Sequence, residues 1–294
     1  MKKEKILVTG STGLLGSHLH PYLCSKGYEV IGVSKEHRIN SQNHVDFTDK
    51  SETYSFLDKT EPSIIINLIS LTSVEECESN PERAVKLNVI VVENIVSWIS
   101  KNRNVHLIQL STDHVYDGVG HKTETNINIT NKYAETKFAG ERVAERVNST
   151  ILRTNFVGKS KSFHRDSMTD WLYKSLKNKQ KIKVLSDVFF NPLSISNLTY
   201  FIEKLICLRL CGVYNLGSKN GMSKADFDYK FAKALQLPIS NISRITTKKA
   251  NFLKAYRPKD MRMDSSKFEK ESGIMLPCLN DVILQVVGEY DNKI

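Results

Sequence analysis

The stretch "VTGSTGLLGSHL" (residues 8–19) decides the fold, because it places three evenly spaced glycines between a strand signal and a helix signal. In a strand–turn–helix unit the first glycine permits a tight turn, the second lets the backbone approach a pyrophosphate, and the third lets the helix pack closely on the strand. The helix, predicted to begin near Leu14, then points its N-terminus at the anion. The loop is a predicted dinucleotide site made of Gly10, Ser11, Thr12, Gly13, Leu14, Leu15 and Gly16.

The first half of the chain alternates strand and helix signals. The apolar runs "KILVTG", "YEVIGVS", "PSIIINLIS" and "VHLIQLSTD" lack period-two alternation, which is typical of strands buried on both faces. A long helix is predicted from Pro81 to about Lys101, with apolar residues returning every third or fourth position at Ala84, Val85, Leu87, Val91, Ile95 and Ile99. The predicted fold is α/β, a Rossmann-like doubly wound parallel sheet.

The rhythm of the sequence changes after "TILRTNFVG" (residues 150–158), which is predicted as the last strand to leave the sheet. Beyond it the pattern is irregular and richer in lysine. Residues 1–156 are therefore predicted to form a dinucleotide-binding domain. Residues 157–294 are predicted to form mainly a smaller substrate-binding region, with some segments packing back on the first domain.

Composition and charge limit the classes of protein to which the chain can belong. With 294 residues, of which 40% are hydrophobic and 25% charged, it has the composition of a folded protein. Its formal charge of +10 is spread along the chain, which favours a surface that attracts phosphates over a nucleic-acid interface. No apolar run reaches membrane-spanning length, and "MKKEKILVTG" lacks the apolar segment of a signal peptide, so a cytoplasmic location is predicted.

Neither a disulfide framework nor a metal site is predicted. Five cysteines are an odd number without a Cys-x-x-Cys pair, so reduced and mostly buried thiols are expected. His18 and His20 stand two positions apart on a predicted helix and would point to nearly opposite sides. We therefore assign them no metal role.

Two short motifs carry candidate chemistry. In "YAETK" (residues 133–137), Tyr133 and Lys137 are four positions apart, so on a helix the ammonium would stand near the phenol, favour the phenolate and make the tyrosine a usable proton donor. An ordinary amphipathic helix is the alternative. "QLSTDHVYDG" ends a buried strand with Ser111, Thr112 and Asp113, where ligands of open α/β sheets bind, although turn and cap residues also occur there.

The position that selects between nicotinamide cofactors is expected about 20 residues beyond the glycine loop, at the end of the second strand. It holds Ser34 instead of an acid, followed by Lys35 and Arg38. A serine does not repel a 2′-phosphate and the two cations attract it, so a preference for NADPH over NADH is predicted.

The stretch "DFTD" (residues 46–49) follows the second unit of the predicted sheet. Asp46 and Phe47 are predicted to touch the adenine of the cofactor. The competing interpretation is a plain helix N-cap formed by Thr48 or Asp49.

In order and spacing, "TGSTGLLG", "STDHVYDG" and "YAETK" resemble an extended short-chain dehydrogenase/reductase. The stretches "NLISLTSVEECESNPERAVKLN", "NKYAETKFAGE", "LRTNFVG" and "RPKDMRMDSSKFEKESGIMLP" narrow this resemblance to the dTDP-4-dehydrorhamnose reductase family. The similarity covers nearly the whole chain, and the C-terminal stretch discriminates best because epimerases and dehydratases share the dinucleotide motifs.

The resemblance implies an NAD(P)H-dependent reduction of a 4-keto-6-deoxy nucleotide sugar, in which Thr112, Tyr133 and Lys137 match the catalytic triad. Hydride would reach the sugar C4 while Tyr133 protonates the oxyanion. Lys137 would hold the cofactor ribose and lower the tyrosine pKa, and Thr112 would donate a hydrogen bond to the carbonyl oxygen.

The resemblance also implies binding roles outside the triad. Leu68, Ile69 and Ser70, in "NLIS", would lie near the nicotinamide. The residues implied to contact the substrate are Thr72, Thr112, Asp113, His114, Phe156 and Arg257. Phe156 stands where many members have tryptophan, and Leu193 and Ser194 also depart from the family pattern. Asn88 is interpreted as a structural support, and Arg262 as a second diphosphate ligand or a surface ion pair.

Other functions remain open at this point. A nucleotide-sugar epimerase or dehydratase would use the same scaffold, and a regulatory subunit like the methionine adenosyltransferase β subunit shares its motifs. Nucleic-acid binding, prompted by the charge, ranks third. A homodimer is also left open, and the sugar, the nucleotide base and the stereochemistry at C4 are not predicted.

Overall fold

The computed structural model describes residues 4–35, 43–101, 104–162 and 165–291. The chain divides into two compact units, each assembled from three stretches. The sheet unit comprises Met1–Thr112, Asn131–Arg153 and Thr199–Tyr214, and the C-terminal unit comprises Asp113–Thr130, Thr154–Leu198 and Asn215–Ile294. The assignment of cofactor binding to residues 1–156 and of substrate binding to residues 157–294 stays a prediction.

The strands of the described residues vary from two to six residues in length. In chain order they are β1 (Lys5–Thr9), β2 (Glu29–Ser34), β3 (Asn43–His44), β4 (Ile64–Asn67), β5 (His106–Leu110), β6 (Ser149–Thr154), β7 (Phe156–Val157), β8 (Ile182–Leu185), β9 (Phe189–Phe190), β10 (Leu193–Ser194), β11 (Gly212–Leu216), β12 (Met222–Ser223) and β13 (Ile242–Ile245).

The helices alternate with the strands in the first half of the chain. They are α1 (Gly16–Ser25), α2 (Lys50–Thr60), α3 (Val74–Ser79), α4 (Pro81–Val85), α5 (Val91–Ile99), α6 (Lys132–Ala144), α7 (Met168–Lys177), α8 (Ile195–Leu208), α9 (Lys224–Ala234), α10 (Ser266–Ser272) and α11 (Leu279–Gly288). Short 3₁₀ turns cover Asp113–Val115, Ile239–Asn241 and Thr247–Lys249.

Seven of the described strands form one sheet in the order β11-β6-β5-β4-β1-β2-β3. The pairings of β1 with β2 and β4, of β2 with β3, and of β5 with β4 and β6 are all parallel. The central strands are buried along their length, as their continuous apolar runs require. The predicted Rossmann-like α/β fold is confirmed.

Two details of the predicted sheet are wrong. The strand from "TILRTNFVG" is not the last one, because β11 returns from far along the chain and pairs beside β6 at the edge. The two-residue strand β3 at the other edge was also missed, since two residues carry no periodic signal.

The long helix predicted from Pro81 to about Lys101 is interrupted in its middle. A π-helical turn covers Lys86–Ile90 between α4 and α5, and the Val91 N–H donates to the carbonyl of Lys86. One extra residue in this turn shifts the apolar face, so Val85 is 42% exposed although its spacing predicted burial. Periodicity alone cannot reveal a local change of helix type.

The core of the sheet unit lies around α5, whose apolar residues pack with those of the strands. Trp98 also donates from Nε1 to Asp58 Oδ1 at 2.7 Å, which ties α5 to α2. The fully or nearly fully buried members of this core include Leu7, Val33, Phe47, Leu57, Ile65, Val91, Ile95, Leu107 and Ile151.

The C-terminal unit has an aromatic core of its own. Phe227 lies edge-on to Phe190 and stacked against Phe231, with ring centroids 5.5 and 6.4 Å apart. Tyr290 meets Phe231 edge-on, and its hydroxyl donates to Asp170 Oδ1 at 2.7 Å near the capping box that begins α7. These contacts join α7, α9 and the end of α11.

The thiols are more exposed than the sequence predicted. Cys24, Cys207 and Cys211 are exposed, Cys278 is intermediate, and Cys77 is buried. All five are free cysteines. The expectation of mostly buried thiols is therefore wrong, because several cysteines lie near helix ends at the surface. In the described part of the chain, no helix is both long and apolar enough to cross a membrane.

The close packing of α6 on the π-helical turn gives a stability prediction. A Cβ at Gly140 would lie 2.4 Å from the backbone oxygen of Asn88. Gly140→Ala should therefore destabilise the protein by about 1–3 kcal/mol, as overpacking does, despite the better helix propensity of alanine. Thermal unfolding of the purified variant measures this change.

The matched control is Gly288→Ala, at the end of α11. Among the described residues, no atom beyond the helix's own backbone and the adjacent residues lies within 4 Å of a Cβ built there, so this variant should be neutral or more stable by at most about 1 kcal/mol. Equal melting temperatures for the two variants would contradict the close contact at Gly140.

Candidate active site

The glycine loop forms a tight turn at the carboxyl end of β1. Gly10 adopts a left-handed conformation with φ of 64°, and its carbonyl accepts a hydrogen bond from the Gly13 N–H at 3.0 Å. Ser11 donates from its N–H and from its hydroxyl to the carbonyl of Val33 in β2. A Cβ at Gly16 would lie 2.3 Å from Gly10 O, so this close approach of helix and turn requires glycine.

The N-terminus of α1 is suited to an anion from outside the chain. The helix begins at Gly16, two residues later than predicted. Within the described residues, no side chain caps this end and its first turn holds no acidic residue. The positive end of the helix dipole is therefore not neutralised by the protein itself.

A buried chain of side-chain hydrogen bonds crosses the carboxyl ends of three neighbouring strands. Thr9 Oγ1 donates to Asn67 Oδ1 at 2.7 Å, and Asn67 Nδ2 donates to Gln109 Oε1 at 2.8 Å. Thr9 Oγ1 also accepts a hydrogen bond from the Leu68 N–H at 3.2 Å. The chain fixes the start of the loop that contains Leu68, Ile69 and Ser70, all partly buried.

Asn88 fixes the other end of this loop from within the π-helical turn. Its Oδ1 accepts hydrogen bonds from Ser70 Oγ and from the Leu71 N–H, each at 2.8 Å. Its Nδ2 donates to Thr136 Oγ1 in α6 at 2.9 Å. Asn88 is 2% exposed, so its contacts are those of the supporting role predicted from the sequence. Thr72, which follows, is partly buried.

The ammonium of Lys137 lies at the end of β5. Its Nζ donates to the carbonyl of Leu110 at 2.7 Å, and the residue is 5% exposed. Burial lowers the pKa of its ammonium to about 8, although the carboxylate of Glu141 one turn later acts in the opposite direction. Tyr133, one turn earlier on α6, is 8% exposed. The solvated lysine of an ordinary amphipathic helix is therefore excluded.

A buried ion pair lies next to the Ser111–Thr112 strand end. Arg153 in β6 binds both carboxylate oxygens of Glu141 in α6, at 2.6 Å from Nη2 and 3.0 Å from Nε. Ser111 Oγ donates to the same carboxylate in a short hydrogen bond. Thr112 is 3% exposed, and none of these four side chains exceeds 6% exposure. The pair thus connects α6, β6 and the chain at Ser111.

The predicted selector of the cofactor lies at the end of β2, as expected. Ser34 is its last residue and is 6% exposed. Lys35 is exposed and pairs with Asp46 at 2.6 Å. Burial raises the pKa of Asp46, but hydrogen bonds from Lys35 and Thr48 outweigh it and hold the pKa at about 2. Arg38 lies outside the described residues.

The stretch "DFTD" forms the helix N-cap of its competing interpretation, and its contact with an adenine stays a prediction. Asp49 caps α2 by accepting a hydrogen bond from the Glu52 N–H at 2.8 Å, so the cap is formed by this residue and not by Thr48. The ring of Phe47 is buried and lies edge-on to Phe56 in the core. Only the backbone of Phe47 remains for the predicted contact with an adenine, and its carbonyl already accepts from Asn94 Nδ2 at 2.9 Å.

The remaining predicted substrate contacts belong to the C-terminal unit. Asp113 accepts a hydrogen bond from Asn155 Nδ2 at 2.7 Å, and His114 beside it is buried. Burial, then Lys224 and Arg257, lower the pKa of His114 to about 3, so its imidazole is neutral. Phe156 begins β7, which pairs with Leu193 in β10.

The two arginines of the C-terminal motif differ in their surroundings. Arg262 makes a bidentate pair with Asp260 at 2.6 and 2.8 Å and lies over the ring of Phe189. The structure therefore favours the ion-pair interpretation of Arg262. Arg257 is partly buried and donates to the carbonyl of Ala255 at 3.3 Å. Among the described residues, no group of three His, Cys, Asp or Glu side chains is arranged to hold a metal ion.

Two groups of buried polar residues were missed from the sequence. They are the chain of Thr9, Asn67 and Gln109, and the pair of Glu141 with Arg153. Glu141 stands beside the exposed Arg142 on a helix of mixed pattern, so the sequence carried no signal for its burial. For Asn67, Gln109 and Arg153 the signal was present, because each stands in a strand whose neighbours are mainly apolar and must be buried. A polar side chain in such a segment needs a partner there.

Comparison with known proteins finds relatives that are named as reductases over nearly the whole chain. A "Probable low-salt glycan biosynthesis reductase" of Haloferax volcanii is 28% identical over 97% of this chain and 98% of its own length. A dTDP-4-dehydrorhamnose reductase of Aggregatibacter actinomycetemcomitans is 27% identical over 92% of this chain and 94% of its own length.

The fold agrees with that of a solved relative. The crystal structure of a dTDP-4-dehydrorhamnose reductase from Bacillus anthracis, in complex with NADP, superposes with a TM-score of 0.88. The alignment covers 98% of this chain and 99% of the reductase. Because the two sequences are only 23% identical, the likeness shows a shared fold and nothing finer.

A family model described as "RmlD substrate binding domain" matches residues 4–291, nearly the whole chain. Together with the dTDP-4-dehydrorhamnose reductases among the relatives, this match confirms the resemblance that the motifs indicated. The chain belongs to the RmlD substrate binding domain family.

Proposed function

We propose that this protein reduces the keto group at C4 of a 4-keto-6-deoxy nucleotide sugar, in the synthesis of deoxysugar precursors of polysaccharides. It is an NAD(P)-dependent oxidoreductase of the dTDP-4-dehydrorhamnose reductase type. The observation that carries the proposal is the buried Lys137, which donates to the last carbonyl of β5, two residues before Thr112. An ammonium is otherwise expensive to bury, so its position indicates a use.

The glycine loop is suited to the dinucleotide. Gly10 lies so near the Leu68 backbone that a Cβ would meet it at 3.3 Å, and the N-terminus of α1 is left for a phosphate. Ser34, Lys35 and Asp46 are proposed to surround the adenosine ribose, with Leu68, Ile69 and Ser70 at the nicotinamide. A bound NADPH supplies the hydride that this chemistry needs.

The residues of the sheet unit are proposed to control the proton. Tyr133 donates it from its hydroxyl to the oxygen that becomes negative as C4 is reduced. Thr112 donates a hydrogen bond to the same oxygen and so stabilises the developing charge. Lys137 holds the ribose hydroxyls of the cofactor and favours the phenolate that Tyr133 becomes.

The substrate is proposed to be a dTDP-linked sugar, because relatives from Aggregatibacter actinomycetemcomitans and Salmonella typhimurium are dTDP-4-dehydrorhamnose reductases. Thr72, Asp113, His114, Phe156 and Arg257 are the proposed contacts. The low pKa of His114 keeps it neutral, so it would offer the sugar a hydrogen bond and no charge.

The direct test is a reductase assay with a dTDP-4-keto-6-deoxy sugar and NADPH, followed by the loss of nicotinamide absorbance. Tyr133→Phe should lower kcat by about 10²–10⁴, the contribution of a positioned general acid, while NADPH affinity remains near that of the unmutated protein. Binding of NADPH is measured separately by its fluorescence.

Tyr54→Phe on α2 is the matched control and should retain full turnover. Full turnover in Tyr133→Phe would remove Tyr133 from the mechanism. If the unmutated protein reduces no such sugar but co-purifies with a larger enzyme, the regulatory-subunit alternative is favoured instead.

The depressed pKa of Lys137 predicts a dependence on pH. Its ammonium is present below about pH 8 and is lost above it, so kcat/KM should fall as the pH rises through about 8. Stability should change in the opposite direction. Between about pH 8 and the ordinary lysine pKa of about 10.5, the unfolded chain holds a proton that the folded chain lacks, which stabilises the fold as pH rises.

Lys137→Met isolates the effect on stability, because it keeps most of the length of the side chain and removes the titrating group. The rise in unfolding free energy over this pH interval should be smaller in the variant than in the unmutated protein. A kcat/KM that stays constant from pH 7 to about pH 9.5 would contradict a catalytic ammonium at this position.

Ser34 predicts a preference for NADPH that can be reversed. Ser34→Asp places a carboxylate where the ribose 2′-group of the cofactor is expected, so it should repel a 2′-phosphate and accept from a 2′-hydroxyl. The ratio of kcat/KM for NADPH over NADH should fall by at least about tenfold, the equivalent of about 1.4 kcal/mol. A preference for NADH before the mutation would refute the assignment.

A further inference from the structure

The C-terminal unit contains two titratable side chains that the proposed function does not use, next to the proposed substrate contacts Asp113, His114 and Arg257. Lys224 and Asp228 stand one turn apart at the start of α9, and Asp228 is 4% exposed. The two side chains attract each other electrostatically. Lys224 is also attracted by Asp113 and repelled by Arg257. We call Asp113, His114, Lys224, Asp228 and Arg257 the charged cluster.

Lys224 is anchored at its backbone and held over an aromatic ring. Its N–H donates to the carbonyl of Val188 at 2.8 Å, and its Nζ lies 5.6 Å from the ring centroid of Phe190. Burial lowers the pKa of this ammonium, while Asp113 and Asp228 oppose the change and Arg257 adds to it. The two carboxylates therefore do not compensate fully for the loss of water around Lys224.

Asp228 is not compensated either. Among the residues that the structure describes, none makes a hydrogen bond to its buried Oδ1. Burial raises the pKa of this carboxyl to about 7, although Lys224 acts to lower it. A buried ion pair formed for stability alone would satisfy both partners with hydrogen bonds, as Glu141 and Arg153 do.

The imidazole of His114 is acted on electrostatically by both cations of the cluster. Both Lys224 and Arg257 lower the pKa of its imidazole by repulsion, after the larger effect of burial. The repulsion between Lys224 and Arg257 themselves is also part of the depressed lysine pKa. Two neighbouring cations that are each partly buried are stabilised when an anion binds between them.

We propose that Lys224 and Arg257 together bind the diphosphate of the nucleotide substrate, with Lys224 as a cation of this subsite that the sequence motifs did not indicate. The forked guanidinium and the ammonium are both strong donors to phosphate oxygens. Asp228 provides the opposing charge to Lys224 until the phosphate arrives. This inference rests on the proposed function, since it assumes a nucleoside diphosphate as the ligand.

Calorimetric titration of the full chain with dTDP tests the proposal without any reduction step. Lys224→Met should weaken dTDP binding by about tenfold to a hundredfold, the loss expected for a hydrogen bond to a charged group. Lys224→Arg should recover part of this affinity because it restores the cation. Binding of NADPH should be unchanged in both variants.

Lys233→Met on the exposed side of the same helix is the matched control and should bind dTDP as the unmutated protein does. Asp228→Asn keeps the shape of the side chain and removes the competing carboxylate, so it should bind dTDP at least as tightly. Weaker dTDP binding in Asp228→Asn would contradict the role given to this residue, and it remains measurable if Lys224→Met fails to fold.

The inference and the proposed function fail in different ways. An unchanged dTDP affinity in folded Lys224→Met overturns the inference even if the protein is an active reductase. Binding of dTDP that requires Lys224, in a protein that reduces no 4-keto sugar, supports the inference and overturns the reductase. Absence of any dTDP binding to the unmutated protein overturns the inference as well.

Discussion

The carboxylate of Glu141 is the contact on which the site in the sheet unit depends. It joins Arg153 of β6 to Ser111 at the end of β5, from a position one turn beyond Lys137 on α6. Removing one partner of a buried ion pair typically costs about 3–5 kcal/mol, because the other charge remains without water. The pair therefore fixes the helix that carries Lys137, and its negative charge helps that lysine to remain an ammonium.

Short sequence patterns predicted those features of the fold that depend on residues close together in the chain. The glycine loop, the buried strands and the serine at the end of β2 follow from spacing and from runs of apolar residues. The partners of Glu141 and the return of β11 depend on segments far apart in the chain, which no short window contains. The exposed cysteines were missed for the same reason, since burial is a property of the assembled fold.

The two units treat buried charge in opposite ways. In the sheet unit, Glu141 and Arg153 satisfy one another with several hydrogen bonds. In the C-terminal unit, the buried Asp228 and the partly buried Lys224 are compensated more weakly, and the pKa values of both are displaced toward the neutral forms. The first arrangement maintains a fixed geometry, whereas the second leaves interaction energy available to a ligand.

The π-helical turn makes the loop after β4 sensitive to the number of residues in a helix. A π turn contains one residue more than the α-helical turn that it replaces. Deletion of a single residue within Lys86–Ile90 would restore a regular helix and rotate α4 by about 100° relative to α5. Asn88 would then lose its place between Ser70 and Thr136, even if every functional side chain were retained. Chain length in this helix is thus as much a constraint on the site as residue identity.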